Sequence, residues 1–312
     1  MLLFAAALAA SVNGGDIAAA GPLGPLKGSY VDAGKGTPVV LILPGSGPTD
    51  RDGNNPMGVK AAPYRLLAEG LAARGVSSVR IDKRGLFASA GAVTDGNAVT
   101  LDDYVHDTAA WIAAIRARTG AGCVWLLGHS EGGLIALAAA AGGTKDVCGL
   151  VLVAAPGRPL AAIMREQLHA NPANAPLLPA ADGALDALAA GRRVDPATLP
   201  APLQGLFRAD IQGFLISLFH ADPAKLAAKV RQPMLIVQGA RDLQVTEADA
   251  QALKAASPRA KLALLPGVNH VLKQVDGDAR AANLATYADP ELPLAAGVVP
   301  TIADFIVAPN RP

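Results

Sequence analysis

The G-H-S-E-G segment at residues 128–132 has the residue types and spacing best suited to chemistry. It lies between a short apolar run of β type and an apolar helical run, the context in which a G-x-S-x-G pattern is specific. A turn this sharp strains the serine backbone and crowds its neighbours, so Gly128 and Gly132 are expected to be glycine for steric reasons. The sequence predicts Ser130 as a nucleophile; the alternative is an incidental serine at a helix start.

A serine hydroxyl needs a general base before it attacks. His270 follows the last apolar run through a short loop, so it is expected at the carboxyl edge of a parallel sheet, where reacting groups gather. Of the other histidines, His129 lies next to the serine on a turn and His106 lies inside a helix. His169 and His220 lie in a helical insertion. We therefore predict His270 as the base, against a solvated loop histidine.

The base needs a carboxylate to orient it. Asp242 follows the preceding strand, on a loop at the same edge, and the chain order Ser130, Asp242, His270 is one that such triads use. Asp249 is the competitor, but its spacing from Thr246 is that of a helix cap. Asp242 is the predicted orienting residue, against a surface acid.

Charge that develops on a substrate oxygen needs hydrogen-bond donors. The backbone N–H of Glu131, the residue after the nucleophile, is one predicted donor. The second is the N–H of Ser46, in the small-residue turn 43–47 that follows the first buried strand. The alternative for this turn is an ordinary glycine-rich loop.

Alternating elements must position these residues. Apolar, β-branched runs predict strands at Val39–Leu43, Val76–Ile81, Cys123–Leu127, Leu150–Ala154, Met234–Val237 and Lys261–Leu265. Helical patterns lie between the runs, including one that opens at Thr100 and ends at Gly120. The alternation predicts a doubly wound α/β fold with a mostly parallel sheet.

Residues 157–231 interrupt this alternation. They contain no strand pattern, and prolines divide them into short helical pieces with an apolar stripe. We predict a helical lid at 157–231, inserted into a core formed by residues 21–156 and 232–312. The alternative is that the stripe only completes the core.

The motifs at 43–54 and 128–132 together resemble those of the α/β-hydrolase superfamily, and more narrowly the bacterial esterases described as serine-aminopeptidase-like. The resemblance extends over essentially the whole chain. It implies a sheet of the eight-stranded type, a carboxylic-ester hydrolase with a helical lid, and neither metal nor cofactor. It does not identify the substrate.

Composition limits the partners. The 312 residues carry 27 Lys+Arg against 26 Asp+Glu, a net charge of +1, which gives no electrostatic reason to expect nucleic acid. No apolar run reaches the length of a membrane span, so we expect no stable membrane insertion. A small-molecule ester is the expected partner, and the oligomeric state is left open.

Two features bear on the cellular compartment. Residues 1–20 begin with an apolar run and end in Ala18-Ala19-Ala20, as in a secretory leader, but they lack the usual basic start. Cys123 and Cys148 precede or open neighbouring strands and are placed to form a disulfide, the alternative being two free buried thiols. The sequence favours export to the periplasm or the exterior, with a cytoplasmic location as the alternative.

Two charged segments are candidate binding sites. Residues 50–54 faintly resemble a calcium loop, but Ala61 stands where the bidentate Glu is needed, so a structural or site-rim role is expected for Arg51. Residues 82–85 follow a strand at the reacting edge, and structural ion pairs are expected there rather than substrate contact.

Three functions remain open at this point. The first is an esterase; the second is a peptidase or acyltransferase that uses the same triad. The third, from another class, is a non-catalytic binding protein on a hydrolase scaffold. A protein of that kind has usually lost a triad member, and here Ser130, Asp242 and His270 are all present.

Overall fold

An eight-stranded sheet forms the centre of the computed structural model, which describes residues 14–308. Its strands are β1 (Gly14–Ala19), β2 (Leu26–Val31), β3 (Val39–Leu43), β4 (Ser77–Ile81), β5 (Val124–His129), β6 (Val147–Val153), β7 (Met234–Gly239) and β8 (Lys261–Leu265). Their order across the sheet is β1-β2-β4-β3-β5-β6-β7-β8. Strand β2 runs antiparallel to β1 and β4, and all other pairs are parallel.

Helices cover both faces of the sheet. They are α1 (Pro63–Ala72), α2 (Leu101–Thr119), α3 (Glu131–Ala141), α4 (Leu160–His169), α5 (Leu178–Ala189), α6 (Ala201–Gln204), α7 (Gln212–Phe219), α8 (Pro223–Lys229), α9 (Glu247–Ala256), α10 (Arg280–Ala285) and α11 (Val298–Val307). Residues of α1 and α11 share one apolar core with one face of the strands, and residues of α2, α3 and α9 share the core on the other. The central strands β3 and β5 are buried throughout, as their continuous apolar sequences require.

The structure contains the helix-capping interactions that the sequence predicts. Thr100 and Asp103 form a reciprocal capping box at the start of α2, and Gly120 ends that helix in the left-handed conformation at φ 73°. Thr246 and Asp249 form the corresponding box before α9.

The fold is the predicted doubly wound α/β arrangement, and it includes two strands that no apolar run indicated. Strands β1 and β2 form the antiparallel edge, where only part of each strand is buried, so their sequences do not read as continuous apolar runs. Residues 1–13 of the predicted leader lie outside the described residues. Its remainder, including Ala18 and Ala19 of the expected cleavage site, lies in β1 or directly after it, and Ile17 and Ala19 are buried.

The segment 157–231 consists of helices α4–α8 and short 3₁₀ turns between β6 and β7, with no strand. The apolar stripe expected across residues 203–218 is divided between α6 and α7, because residues 205–211 form turns. Both helices contribute buried side chains to the core on the α2 side, among them Leu203 and Leu218. In residues 14–308, no helix is long and apolar enough to cross a membrane.

Candidate active site

Ser130 occupies a strained turn between β5 and α3. Its backbone has φ 54° and ψ −124°, a combination that few side-chain-bearing residues adopt. A Cβ on Gly128 would lie 2.1 Å from the carbonyl oxygen of Gly132, and one on Gly132 would lie 2.2 Å from the carbonyl oxygen of Leu43. Both positions therefore require glycine, and the turn presents Ser130 at the amino end of a helix.

Asp242 and His270 form a buried pair at the same edge of the sheet. The Nδ1 of His270 lies 2.7 Å from Oδ2 of Asp242, with side chains 7% and 1% exposed. The other carboxylate oxygen accepts from the backbone N–H groups of Gln244 and Val245, at 2.7 and 3.0 Å. Because a carboxylate only accepts, Nδ1 carries the proton, which leaves Nε2 as the basic nitrogen.

Ser130 is near this pair but is not joined to it. Among residues 14–308, no hydrogen bond connects Ser130 Oγ with the His270 ring. The neighbour of the serine, His129, makes the contact: its ring centroid lies 4.7 Å from that of His270. The structure thus forms the Asp242–His270 part of the predicted triad and leaves the serine bond to be made.

His129 is the centre of a buried network that the sequence analysis missed. Its Nε2 donates to the backbone carbonyl of His270 at 2.8 Å, so Nδ1 is unprotonated and accepts from Tyr64 Oη, also at 2.8 Å. The Tyr64 oxygen in turn accepts from the backbone N–H of Gly45 at 3.0 Å. The network joins the turn at residues 128–132, called the elbow below, to the 43–47 turn and the His270 loop.

Burial keeps this network in one protonation state. Burial, and next the nearby charge of His270, lower the pKa of His129 from 6.5 to about 3. Burial also raises the pKa of Tyr64 above its ordinary value. A neutral imidazole and a protonated phenol are the forms that the hydrogen bonds require.

The 43–47 turn lies directly against the nucleophile. A Cβ on Gly45 would be 3.3 Å from the Cβ of Ser130. The N–H of Ser46 has no acceptor within residues 14–308, and Glu131 is the first residue of α3, where a helix leaves its N–H groups without partners. Neither predicted donor has an acceptor among the described residues.

The charged residues at 82–84 are all paired. Asp82 accepts from the guanidinium and backbone N–H of Arg51, and Arg84 pairs with Asp107 at 2.6 Å. Lys83 instead reaches the site: its Nζ donates to the Gly45 carbonyl at 2.8 Å and to Glu131 Oε1 at 3.1 Å.

The calcium-like loop is also structural. Asp50 Oδ1 accepts from the N–H groups of Asp52 and Asn54, at 2.8 and 2.9 Å, and Asp52 pairs with Arg80. In the described part of the chain, no group of three His, Cys, Asp or Glu side chains is arranged to hold a metal ion.

A cavity of about 820 Å³ opens onto Ser130, Ser46 and Glu131. Its wall on the side of the 157–231 segment is mainly apolar and includes Leu160, Ile163, Met164, Leu206, Phe214 and Leu218. Lys83, whose ammonium is paired, is among the lining residues. The site can therefore accept an apolar group next to the serine.

Cys123 and Cys148 are joined by a disulfide. The bridge links the amino-terminal ends of β5 and β6, the edge of the sheet opposite Ser130. It stabilises the strands that present the elbow without contacting the site.

Comparisons with known proteins find similarity to hydrolases and esterases. The family model described as serine aminopeptidase, S33, matches residues 57–197, which include Ser130 but neither Asp242 nor His270. Esterase EstD of Thermotoga maritima is 28% identical over 247 residues, 77% of this chain and 56% of that protein. The chain thus spans little more than half the length of this curated relative.

Solved structures share the fold at lower identity. An esterase of Pyrococcus furiosus, Pf2001, is 17% identical with a TM-score of 0.56, covering 82% of this chain and 83% of that one. Est1E of Butyrivibrio proteoclasticus, solved with ferulic acid, is 20% identical with a TM-score of 0.54, covering 86% and 93%. The chain therefore has the α/β-hydrolase fold, and it is similar in sequence to a bacterial esterase and to the serine aminopeptidase family over residues 57–197.

Proposed function

We propose that this protein hydrolyses carboxylic esters through an acyl-enzyme on Ser130. The observation that carries the proposal is the buried Asp242–His270 hydrogen bond at the sheet edge that also presents Ser130 on a strained elbow. A surface aspartate and a loop histidine have no reason to be buried together beside a strained serine. A catalytic triad requires this arrangement, because the base must reach the nucleophile and the carboxylate must orient the base.

The reaction follows from the positions of the groups. His270 Nε2 accepts the proton of Ser130 Oγ as the oxygen bonds to the ester carbonyl carbon, and the carbonyl oxygen becomes an oxyanion facing the N–H groups of Ser46 and Glu131. Collapse breaks the bond to the alcohol, which takes the proton from His270. Water then attacks the acyl-enzyme by the same route, so that the acid leaves and Ser130 is restored.

The missing bond between Ser130 and His270 is made in this proposal by rotation of the serine side chain. Catalytic hydrogen bonds are often long or absent before substrate binds and tighten in the complex. The serine is only partly buried and faces the cavity, which leaves room for the rotation.

The cavity supports an apolar acyl group as the substrate portion next to Ser130. Its apolar wall comes from the 157–231 segment, for which we propose the role of a lid. Esterase activity in relatives supports the ester class, since EstD and Pf2001 are named esterases.

Amide cleavage or acyl transfer by the same triad is the second candidate, favoured by the aminopeptidase name of the matching family. An aminopeptidase needs a free anion for the substrate's amino group. Glu131 is the carboxylate in the cavity lining, and Lys83 already neutralises it. The geometry therefore supports esters over aminoacyl amides.

Export remains part of the proposal. The disulfide supports an oxidising compartment, because cytosolic thiols are generally kept reduced. A fusion of residues 1–30 to a reporter that is active only outside the cytoplasm tests export directly, and a silent reporter would contradict it.

Turnover by variants tests the proposed function. We expect the wild type to hydrolyse p-nitrophenyl butyrate, and Ser130→Ala to lose at least about 10³-fold in kcat with an unchanged circular dichroism spectrum. A matched aminoacyl p-nitroanilide should be cleaved far more slowly than the ester. Turnover retained by Ser130→Ala would reject the mechanism, and failure of a fluorophosphonate to label Ser130 would favour the binding-protein alternative.

A further inference from the structure

Lys83 is a buried cation with partners on both sides of the nucleophile. Only 4% of the residue is exposed, although lysine is among the residues least often buried. Its Nζ donates to the Gly45 carbonyl and to Glu131 Oε1, and it lies 5.4 Å from the ring centre of Tyr104. Each hydrogen-bond partner lies in a segment that carries one proposed oxyanion donor.

The first contact fixes the direction of the Ser46 N–H. The carbonyl of Gly45 and the N–H of Ser46 belong to one planar trans peptide, so they point in opposite directions. An ammonium bound to the carbonyl sets the plane of this peptide and leaves the N–H facing away from Lys83. Tyr64 holds the other end of Gly45 through its backbone N–H, so the residue before Ser46 is fixed on both sides.

The same contact strengthens the donor. A positive charge on a peptide carbonyl polarises the unit, and hydrogen bonds in series reinforce one another in a medium of low dielectric. The Glu131 carboxylate balances the charge, which a buried ammonium requires. Because Glu131 also begins α3, this ion pair connects the two donor segments through a single side chain.

We propose that Lys83 is the positioning residue of the oxyanion hole: it orients and polarises the Gly45–Ser46 peptide and ties it to Glu131. The inference rests on the proposed function and adds a residue to it. Lys83 acts through the peptide and makes no bond to substrate.

The test compares an ester with its thionoester. The thionoester places sulfur where the oxyanion forms, and a site shaped for oxygen stabilises sulfur poorly. Removal of Lys83 should therefore slow the ester more than the thionoester. A merely structural role would slow both by the same factor.

The variant is Lys83→Met with Glu131→Gln, which avoids an unpaired buried charge. We expect kcat for the ester to fall by about 10²-fold with KM nearly unchanged, and the ester-to-thionoester ratio of kcat to fall with it. The matched control is Arg84→Met with Asp107→Asn, which removes the neighbouring buried ion pair and should leave the ratio at the wild-type value.

Each outcome decides a different point. If the wild type hydrolyses the ester and the Lys83 double variant keeps the wild-type ratio, the role of Lys83 is rejected while the esterase proposal stands. If the wild type hydrolyses no ester, the proposed function itself fails. Should the double variant not fold, Lys83→Gln with Glu131→Gln gives the same comparison, because it removes both charges and leaves two neutral polar side chains that can pair.

Discussion

The ring of His129 is hydrogen-bonded to the backbone carbonyl of His270 at 2.8 Å. The residue before the nucleophile thus holds the main chain of the proposed base. Gly128 and Gly132 hold the elbow in one conformation, because no larger residue fits at either position. His129, which lies on the elbow, is therefore held in place. The position of His270 relative to Ser130 therefore depends on a neighbour that takes no part in proton transfer.

Two substitutions at His129 separate its two contacts. Glutamine places a donor near the Nε2 position and keeps the bond to the His270 carbonyl, whereas asparagine matches Nδ1 and keeps only the Tyr64 bond. We expect His129→Asn to lower kcat for a butyrate ester by about 10²-fold, because misplacement of the base is costly, and His129→Gln to lose less. Steady-state kinetics of both variants measure this, and equal losses would contradict the positioning role.

Stability should depend on pH through the same residue. The pKa of His129 falls from 6.5 to about 3 on folding, so between these values the unfolded chain binds a proton that the native protein does not. Its contribution to stability is fully present above pH 6.5 and is lost as the pH falls towards 3. The difference in unfolding free energy between wild type and His129→Gln should change by up to about 1.4 kcal/mol per pH unit in this window.

Urea unfolding from pH 3.5 to 8 measures that difference. His169→Gln is the control, because this exposed histidine of the 157–231 segment pairs with Asp182 at the surface. A constant difference between wild type and His129→Gln across the window would contradict the buried neutral state of His129.

The disulfide should matter for stability and not for chemistry. It closes a separation of 25 residues, which in the chain-entropy account contributes about 3.5 kcal/mol to the free energy of unfolding. We expect the double variant Cys123→Ser, Cys148→Ser to lose about this amount and to keep its turnover at 25 °C, since the bridge lies at the opposite edge from Ser130. Lost turnover in a fully folded double variant would show that the bridge positions the elbow.

The cavity predicts a dependence on acyl chain length. Met164 lies in its apolar wall, so Met164→Trp should fill part of the space. We expect kcat/KM for a decanoate ester to fall at least about ten-fold relative to an acetate ester, which serves as the internal control. An equal effect on both esters would place the acyl chain elsewhere.

Much of the fold could be predicted from local sequence patterns. The six continuous apolar runs, the caps at Thr100 and Thr246 and the pairing of Asp242 with His270 depend on residues close in sequence or on one simple topology rule. Strands β1 and β2 could not be predicted in this way, because half-buried antiparallel edge strands lack a continuous apolar pattern.

The missed parts of the site depend on tertiary contacts. The sequence pattern gives His129 no role, yet its side chain bonds to Tyr64, 65 positions earlier, and to His270, 141 positions later. The Lys83–Glu131 pair spans 48 positions. No local pattern encodes contacts between residues this far apart in sequence. These polar groups pair because a buried polar group requires a hydrogen-bond partner.

The covalent state of Ser130 during turnover tests the central claim most directly. Wild-type protein is mixed with p-nitrophenyl butyrate, quenched with acid within milliseconds, digested and analysed by mass spectrometry. We predict a butyryl group on the peptide that contains Ser130, its absence in Ser130→Ala, and much slower acylation in His270→Ala, because the mechanism needs His270 as the base for attack by Ser130. An unmodified Ser130 peptide during rapid ester turnover, or acylation of another residue in the wild type, would contradict the account.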